Sequence, residues 1–299
     1  MKKIIGVFFL IIAFSFILCA GDYEFDSKDF SDIGKMAGKL TDHKFEKLKK
    51  WNASKIVVVE CAGEFLQSRE VTSSVFAQRS TGSITTKTST IDLGNDYYNS
   101  VINRFYDKIK TAFEEYGIEV VPKENLISLE KYKTLELDFE KTTRGYKGSV
   151  FSDGVTKKGI KVSAEGLGLF PTNPFKAIKL AVRLAELTND AKANSALKVS
   201  FYVDKGKKGA PVLRNFDLTL FADLRGEEVG FEGNKKMSYT FHRQNENIFK
   251  LNKPIVNLTD ISGEEKGTVN IEKYDEALMQ IIDAAINMMK EDLKEMKKE

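Results

Sequence analysis

The stretch that decides the fold is residues 95–132, NDYYNSVINRFYDKIKTAFEEYGIEVVPKENLISLEKY. Tyr98, Ile102, Phe105, Ile109, Phe113 and Tyr116 recur every three or four positions, so a helix over 95–116 carries them on one face. Asp92 or Asn95 is suited to cap its start, and Gly117 stands where a left-handed C-terminal cap belongs. Ile118-Glu119-Val120-Val121 follows as a short strand that Pro122 ends. Leu126, Leu129 and Tyr132 mark a second, shorter helix. Upstream, Ile56-Val57-Val58-Val59 is a continuous β-branched run, the pattern of a strand covered on both faces. Strand, helix, strand and helix in that order predict an α/β (α+β) core, a mixed sheet with helices packed on it.

Working outward, residues 31–51 read as one helix, with Ile33, Met36, Leu40, Leu48 and Trp51 near helical spacing. Residues 67–94 are rich in Ser and Thr. Val71–Val75 and Ile84–Thr88 form two arms of a hairpin turning near Ser80-Thr81-Gly82, or else a mobile loop. A second hairpin insertion is expected within 140–174, where Val150-Phe151 and Ile160-Lys161-Val162 flank Ser152-Asp153-Gly154. Asn173-Pro174 opens a helix with Ile178, Ala181, Val182 and Ala185 on its apolar face. Leu197, Val199, Phe201 and Val203 alternate, as do Phe216, Leu218, Leu220 and Ala222, and the connector 204–209 makes them an antiparallel hairpin. Met237, Tyr239 and Phe241 suggest a further strand. A long C-terminal helix runs from about Asn270, with Tyr274, Leu278, Ile281, Ile282, Ala285, Met289, Leu293 and Met296 inside. The expected organisation is a signal at 1–20, an acidic tether and helix over 21–54, and one α/β domain over 55–299 with insertions at 67–94 and 140–174.

The N-terminus reads as an export signal: Lys2 and Lys3, an apolar run from Ile4 to Leu18, then the small residues Cys19-Ala20-Gly21. The run is shorter than the ~20 residues of a membrane span. Two endings compete, acylation of Cys19, which anchors the chain to a membrane by lipid, and cleavage after Ala20 or Gly21, with an uncleaved anchor ranked behind both. Phe16-Ile17-Leu18-Cys19 resembles a lipobox, with Leu18 where Gly, Ala or Ser is normal. Either ending places the chain outside the cytoplasm, periplasmic or membrane-anchored in the cell envelope.

The 299 residues are 42% hydrophobic and 30% charged, ordinary globular composition. A net charge of +3 gives no argument for nucleic acid as a partner. With Cys19 lost or lipidated, Cys61 has no disulfide partner and reads as a buried thiol.

No catalytic, cofactor-binding or metal-ligating constellation emerges. The two histidines, His43 on a lysine-rich helix and His242 at a strand end, have no His or Cys at ligand spacing. Ser195-Ala-Leu-Lys198 matches Ser-x-x-Lys but opens an alternating strand. Gly166-Leu-Gly168 is half a nucleotide fingerprint. Glu114-Glu115, Glu227-Glu228 and Glu264-Glu265 read as solvated surface pairs.

Three stretches, Lys55–Cys61, Tyr97–Leu129 and Leu184–Val203, resemble the family of exported lipoproteins that includes the curli secretion channel CsgG, and the N-terminal domain of TolB. In the last, a helix leads through Ala193-Asn194-Ser195-Ala196 into a strand, where the family has Ala-Asp. The resemblance implies a small envelope α/β domain that binds other proteins and brings no catalytic residues. Hence the expectation: a non-catalytic envelope protein that docks to an envelope partner or to itself. The alternatives are an oligomeric export-channel or assembly subunit and an envelope hydrolase with an unidentified nucleophile.

Overall fold

A computed structural model describes residues 23–25, 32–75, 83–135, 137–138, 142–147, 154–170, 180, 183–184, 186–206, 209–229, 238–264 and 268–298. The export signal, Cys19, the expected turn at 80–82, Val150-Phe151, Met237 and the residues Ile178, Ala181, Val182 and Ala185 lie outside them.

Among the described residues, one mixed sheet of eleven strands holds the fold together, in an α/β arrangement. Its strands are β1 (Tyr23–Phe25), β2 (Thr41–His43), β3 (Lys55–Val75), β4 (Ser83–Thr90), β5 (Glu119–Val120), β6 (Thr142–Lys147), β7 (Gly154–Ser163), β8 (Ser195–Lys205), β9 (Pro211–Val229), β10 (Ser238–Leu251) and β11 (Ile255–Asn257). The helices are α1 (Ile33–Leu40), α2 (Glu46–Lys50), α3 (Asn95–Glu115), α4 (Lys123–Ser128), α5 (Glu130–Lys133) and the C-terminal α6 (Ile271–Lys298). Residues 186–190 are helical as well.

The organiser is β3, 21 residues long. Its first half is the apolar run Ile56–Val59, at most 1% exposed, and it pairs in parallel with β5 and β8. Beyond Phe65 it leaves β8 behind and pairs antiparallel with β4 on that same edge and β7 on the other. With β6 on β7, this makes a four-stranded antiparallel ribbon, β4-β3-β7-β6, projecting past the end of the core. The two hairpins expected in the insertions are therefore neighbours in one ribbon. At the other pole, β8 reaches only Phe221 of β9, and β9 continues with β10 to Val229 as a two-stranded extension.

The helix 95–116 forms as read. Gly117, with φ +82°, closes it in the left-handed region that Gly enters freely. Its cap is Gly94, while Asp92 Oδ1 accepts the Gly94 N–H one step earlier, at 3.0 Å. The inner face packs on the sheet through Phe105, whose ring lies 4.5 Å from Phe201 and 5.3 Å from Phe216. Helix α6 lies beside it, joined by Arg104–Asp275, Lys108–Asp283 and Lys290–Glu115 pairs.

The single helix expected over 31–51 is divided. At Thr41 the backbone turns extended (φ −120°, ψ 153°) and Thr41–His43 pairs with Leu251–Phe249 of β10. Sheet pairing and a β-branched residue prevail over local helical spacing. His43 is thus on a strand. The segment read as a tether also contributes β1, parallel to β11. Asn194 knits the helical residues before β8 to β3, its Oδ1 accepting from the Lys55 N–H at 2.9 Å and the Ser54 hydroxyl at 3.0 Å.

Candidate functional site

Two buried carboxylates stand at the root of the ribbon. Glu60 follows the apolar run where the β3–β8 register slips between Val58 and Glu60, a bulge that re-aims a side chain. It is fully buried. Lys161 of β7 reaches it at 2.8 Å, Lys198 of β8 at 3.9 Å, and the Phe170 N–H donates to it at 2.6 Å. The Lys198 ammonium also lies over the Phe170 ring, 5.2 Å from its centroid. One acid thus ties together three adjacent strands and the chain after β7.

Asp204, near the end of β8, repeats the device. It accepts from Lys157 of β7 at 3.1 Å, from Arg214 of β9 at 2.5 Å and from the Lys205 N–H at 2.7 Å. Burial alone would raise its pKa, but the Lys205 amide, Lys157 and Arg214 outweigh burial and hold it below the ordinary carboxylate value. Lys157 spans β3 to do so, since β7 and β8 flank that strand. These groups fix geometry, because every charge is neutralised by a neighbour.

Among the described residues, two grooves run along α3. One of about 450 Å³ is lined by Asp107, Lys108, Thr111, Asp283, Asn287 and Lys290. Another of about 590 Å³ is lined by Asp96, Asn99, Asn103, Arg104, Asp107 and Glu165. Their principal charges pair across the α3–α6 seam. A smaller one, about 230 Å³, lies over the turn 163–167.

The residues weighed from sequence fall apart in space. Ser195 and Lys198 are three apart on a strand and face opposite sides of the sheet. Lys198 serves Glu60, while Ser195 Oγ is buried with no hydrogen-bond partner. The Gly168 N–H donates to Tyr132 Oη at 2.9 Å, and burial pushes that phenol up to about 12, so the glycine turn is tied into the core. Glu115 and Glu114 pair with Lys290 and Lys110. Cys61 is buried and free, and burial raises its thiol pKa well above normal. His242 lies within β10, opposite Arg225. Among the described residues no cluster of His, Cys, Asp or Glu is placed to hold a metal ion. No described helix is long and apolar enough to cross a membrane.

What the sequence reading missed is the role of Glu60. The available signal was a charged residue between Val59 and Cys61, where apolar neighbours on both sides argue for burial. Among the described residues, neither β4 nor β6 has a partner on its outer edge, so the ribbon keeps open bonding capacity on both sides, as does the β9–β10 extension beyond β8 and β2. No family model, curated protein or solved structure matches the chain.

Proposed function

We propose that the chain is a non-catalytic, exported subunit of the cell envelope that assembles with copies of itself through the ribbon β4-β3-β7-β6. The observation that carries this reading is a projecting ribbon whose two outer edges have no partner among the described residues, braced at its root by Glu60 and Asp204. An edge strand presents a row of unpaired N–H and C=O groups and templates pairing with another chain. Two open edges on opposite sides let one copy meet a neighbour on each side, a head-to-tail contact that closes into rings or continues as filaments. Two buried acids that cross-link strands give such a ribbon a stiff base.

The test is the mass of the mature, exported protein in solution and in mild detergent, by light scattering and chemical crosslinking. Oligomers crosslinked through residues of 83–90 and 142–147 are expected. A strict monomer in both media rejects the reading. Mass spectrometry of the mature N-terminus separates acylation of Cys19 from cleavage after Ala20 or Gly21.

A second reading, a channel subunit, draws on the length of the ribbon. Residues 66–75 of β3 extend about 33 Å at ~3.3 Å per residue, the reach of a barrel strand of about 9–11 residues. Ring-shaped particles seen only in detergent favour it; oligomers that form equally in buffer favour assembly in water.

A further inference from the structure

Helix α6 carries a buried acid that none of the preceding account uses. Asp292 is 4% exposed and faces the junction of α1 and β2. Its Oδ2 lies 2.9 Å from Thr41 Oγ1, and the same hydroxyl lies 2.8 Å from the Ala37 carbonyl oxygen. A hydroxyl has one proton to give. With Asp292 ionised, Thr41 serves one of these two acceptors, and the other contact sets lone pair against lone pair. With Asp292 protonated the chain closes: its O–H donates to Thr41 Oγ1, which donates to Ala37 C=O.

The charged surroundings are mixed. His43 Nε2, on β2, is 3.7 Å from Asp292 Oδ1 and 3.8 Å from Glu295 Oε2. Glu291 and Glu295 flank the site on α6, Glu291 being paired with Lys294. On the far side of β2, Asp42 stands opposite Lys250 of β10. Helix α1 turns its Met36, Ala37 and Leu40 inward and holds Lys35 and Lys39 outside. Burial raises the pKa of Asp292; the Thr41 hydrogen bond and His43 oppose that, and Glu295 and Glu291 add to it, leaving it above the ordinary carboxylate value.

We propose that Asp292 is a proton-binding site that latches the α1–β2 segment onto α6, closing on acidification and loosening as the pH rises. The segment matters because β2 covers the outer edge of β10 at Phe249–Leu251 and joins the N-terminal part of the chain to the domain. A loosened latch uncovers that edge. The sign follows from linkage. Between the ordinary carboxylate value and the raised one, the folded chain holds a proton that the unfolded chain has released, so stability falls as the pH climbs through that window.

Amide hydrogen exchange of the mature protein between pH 4.5 and 7.5 tests this, expressed as protection factors so that the intrinsic pH dependence of exchange drops out. The reporters are Thr41 and Lys44, whose N–H groups donate to Ala37 and Ile248 carbonyls. Global unfolding also frees Asp292, so the reference is the same two amides in Asp292→Asn, where the amide donates permanently to Thr41. The ratio of wild-type to Asp292→Asn protection at Thr41 and Lys44 is expected to fall with rising pH, by at most about tenfold per unit. A ratio that is flat or rises with pH overturns the proposal. So does a slope that persists in Asp292→Asn but vanishes in His43→Gln, because the titrating group would then be the histidine.

Discussion

Replacing Glu60 by alanine removes the acid that binds β3, β7, β8 and the Phe170 amide into one cluster. Two losses follow. Lys161, whose side chain is only 13% exposed, keeps its charge with no counter-ion at 2.8 Å. The Phe170 N–H loses its acceptor. Removing one partner of a buried pair costs about 3–5 kcal/mol. Lys198 adds little, because its side chain is 30% exposed and already 3.9 Å away. For a chain of this size that corresponds to a fall in Tm of roughly 6–20 °C. Glu60→Gln keeps an acceptor for Phe170 but not the charge, so it should fall between wild type and Glu60→Ala. The decisive variant is the double change Glu60→Met with Lys161→Met, which removes both charges and refills the space. If an unpaired buried ammonium is the main cost, the double variant recovers more than half of the loss. Urea unfolding followed by circular dichroism reads these proteins together with the single changes Glu60→Met and Lys161→Met. A loss below about 1 kcal/mol for Glu60→Ala, or a double variant as damaged as the sum of the single changes, refutes the reasoning.

Gly63→Ala places a Cβ 2.4 Å from Ile102 Cδ1 and 2.7 Å from Phe201 Cζ, so overpacking should cost about 1–3 kcal/mol. Adding Ile102→Val should restore part of it in thermal unfolding, and no rescue would mean that the strain lies elsewhere. Asp204, with its lowered pKa, stabilises the fold above the ordinary carboxylate value, and that contribution is lost as the pH falls through its folded value. The stability gap between wild type and Asp204→Asn should therefore be steady from neutral pH down to about pH 5 and close below about pH 4. A gap independent of pH would remove Asp204 from the acid response. Cys61, fully buried with its thiol held neutral, should resist iodoacetamide in the folded protein and react after denaturation, which mass spectrometry detects directly.

The helix 95–116, the β8–β9 hairpin and the C-terminal helix were legible because their apolar spacing matches the period of the element that forms. Buried Tyr98, Ile102, Phe105, Ile109 and Phe113 all lie on the face that the spacing marks. The extent of β3 was not legible. Its register slips at Glu60 against β8 and at Ser68 against β7, so no single alternation runs its length. Thr41–His43 read as helix because the pairing that holds it comes from Phe249–Leu251, some two hundred residues on, and no local pattern carries that information. The charge clusters were hidden for the same reason. Glu60, Lys161 and Lys198 are distant in sequence, and the pairing of β3 with β8 on one side and β7 on the other brings them together. Asp292 lay in plain view among the inward-facing residues of α6 between Met289 and Leu293, where a carboxylate breaks the apolar pattern.

The central place of β3 bears on how the chain reaches its native state. Lys55 meets its partner Asn194 across 139 positions. Ribosomes release the N-terminal part first, at about 5–20 residues per second, so the greasy run Ile56–Val59 waits on the order of 7–30 seconds for β8 to appear. During that interval the strand destined for the middle of the sheet is an orphan. A pairing so distant in the chain forms more slowly than contacts between adjacent hairpins, because the closure of a long loop precedes any gain from the contact.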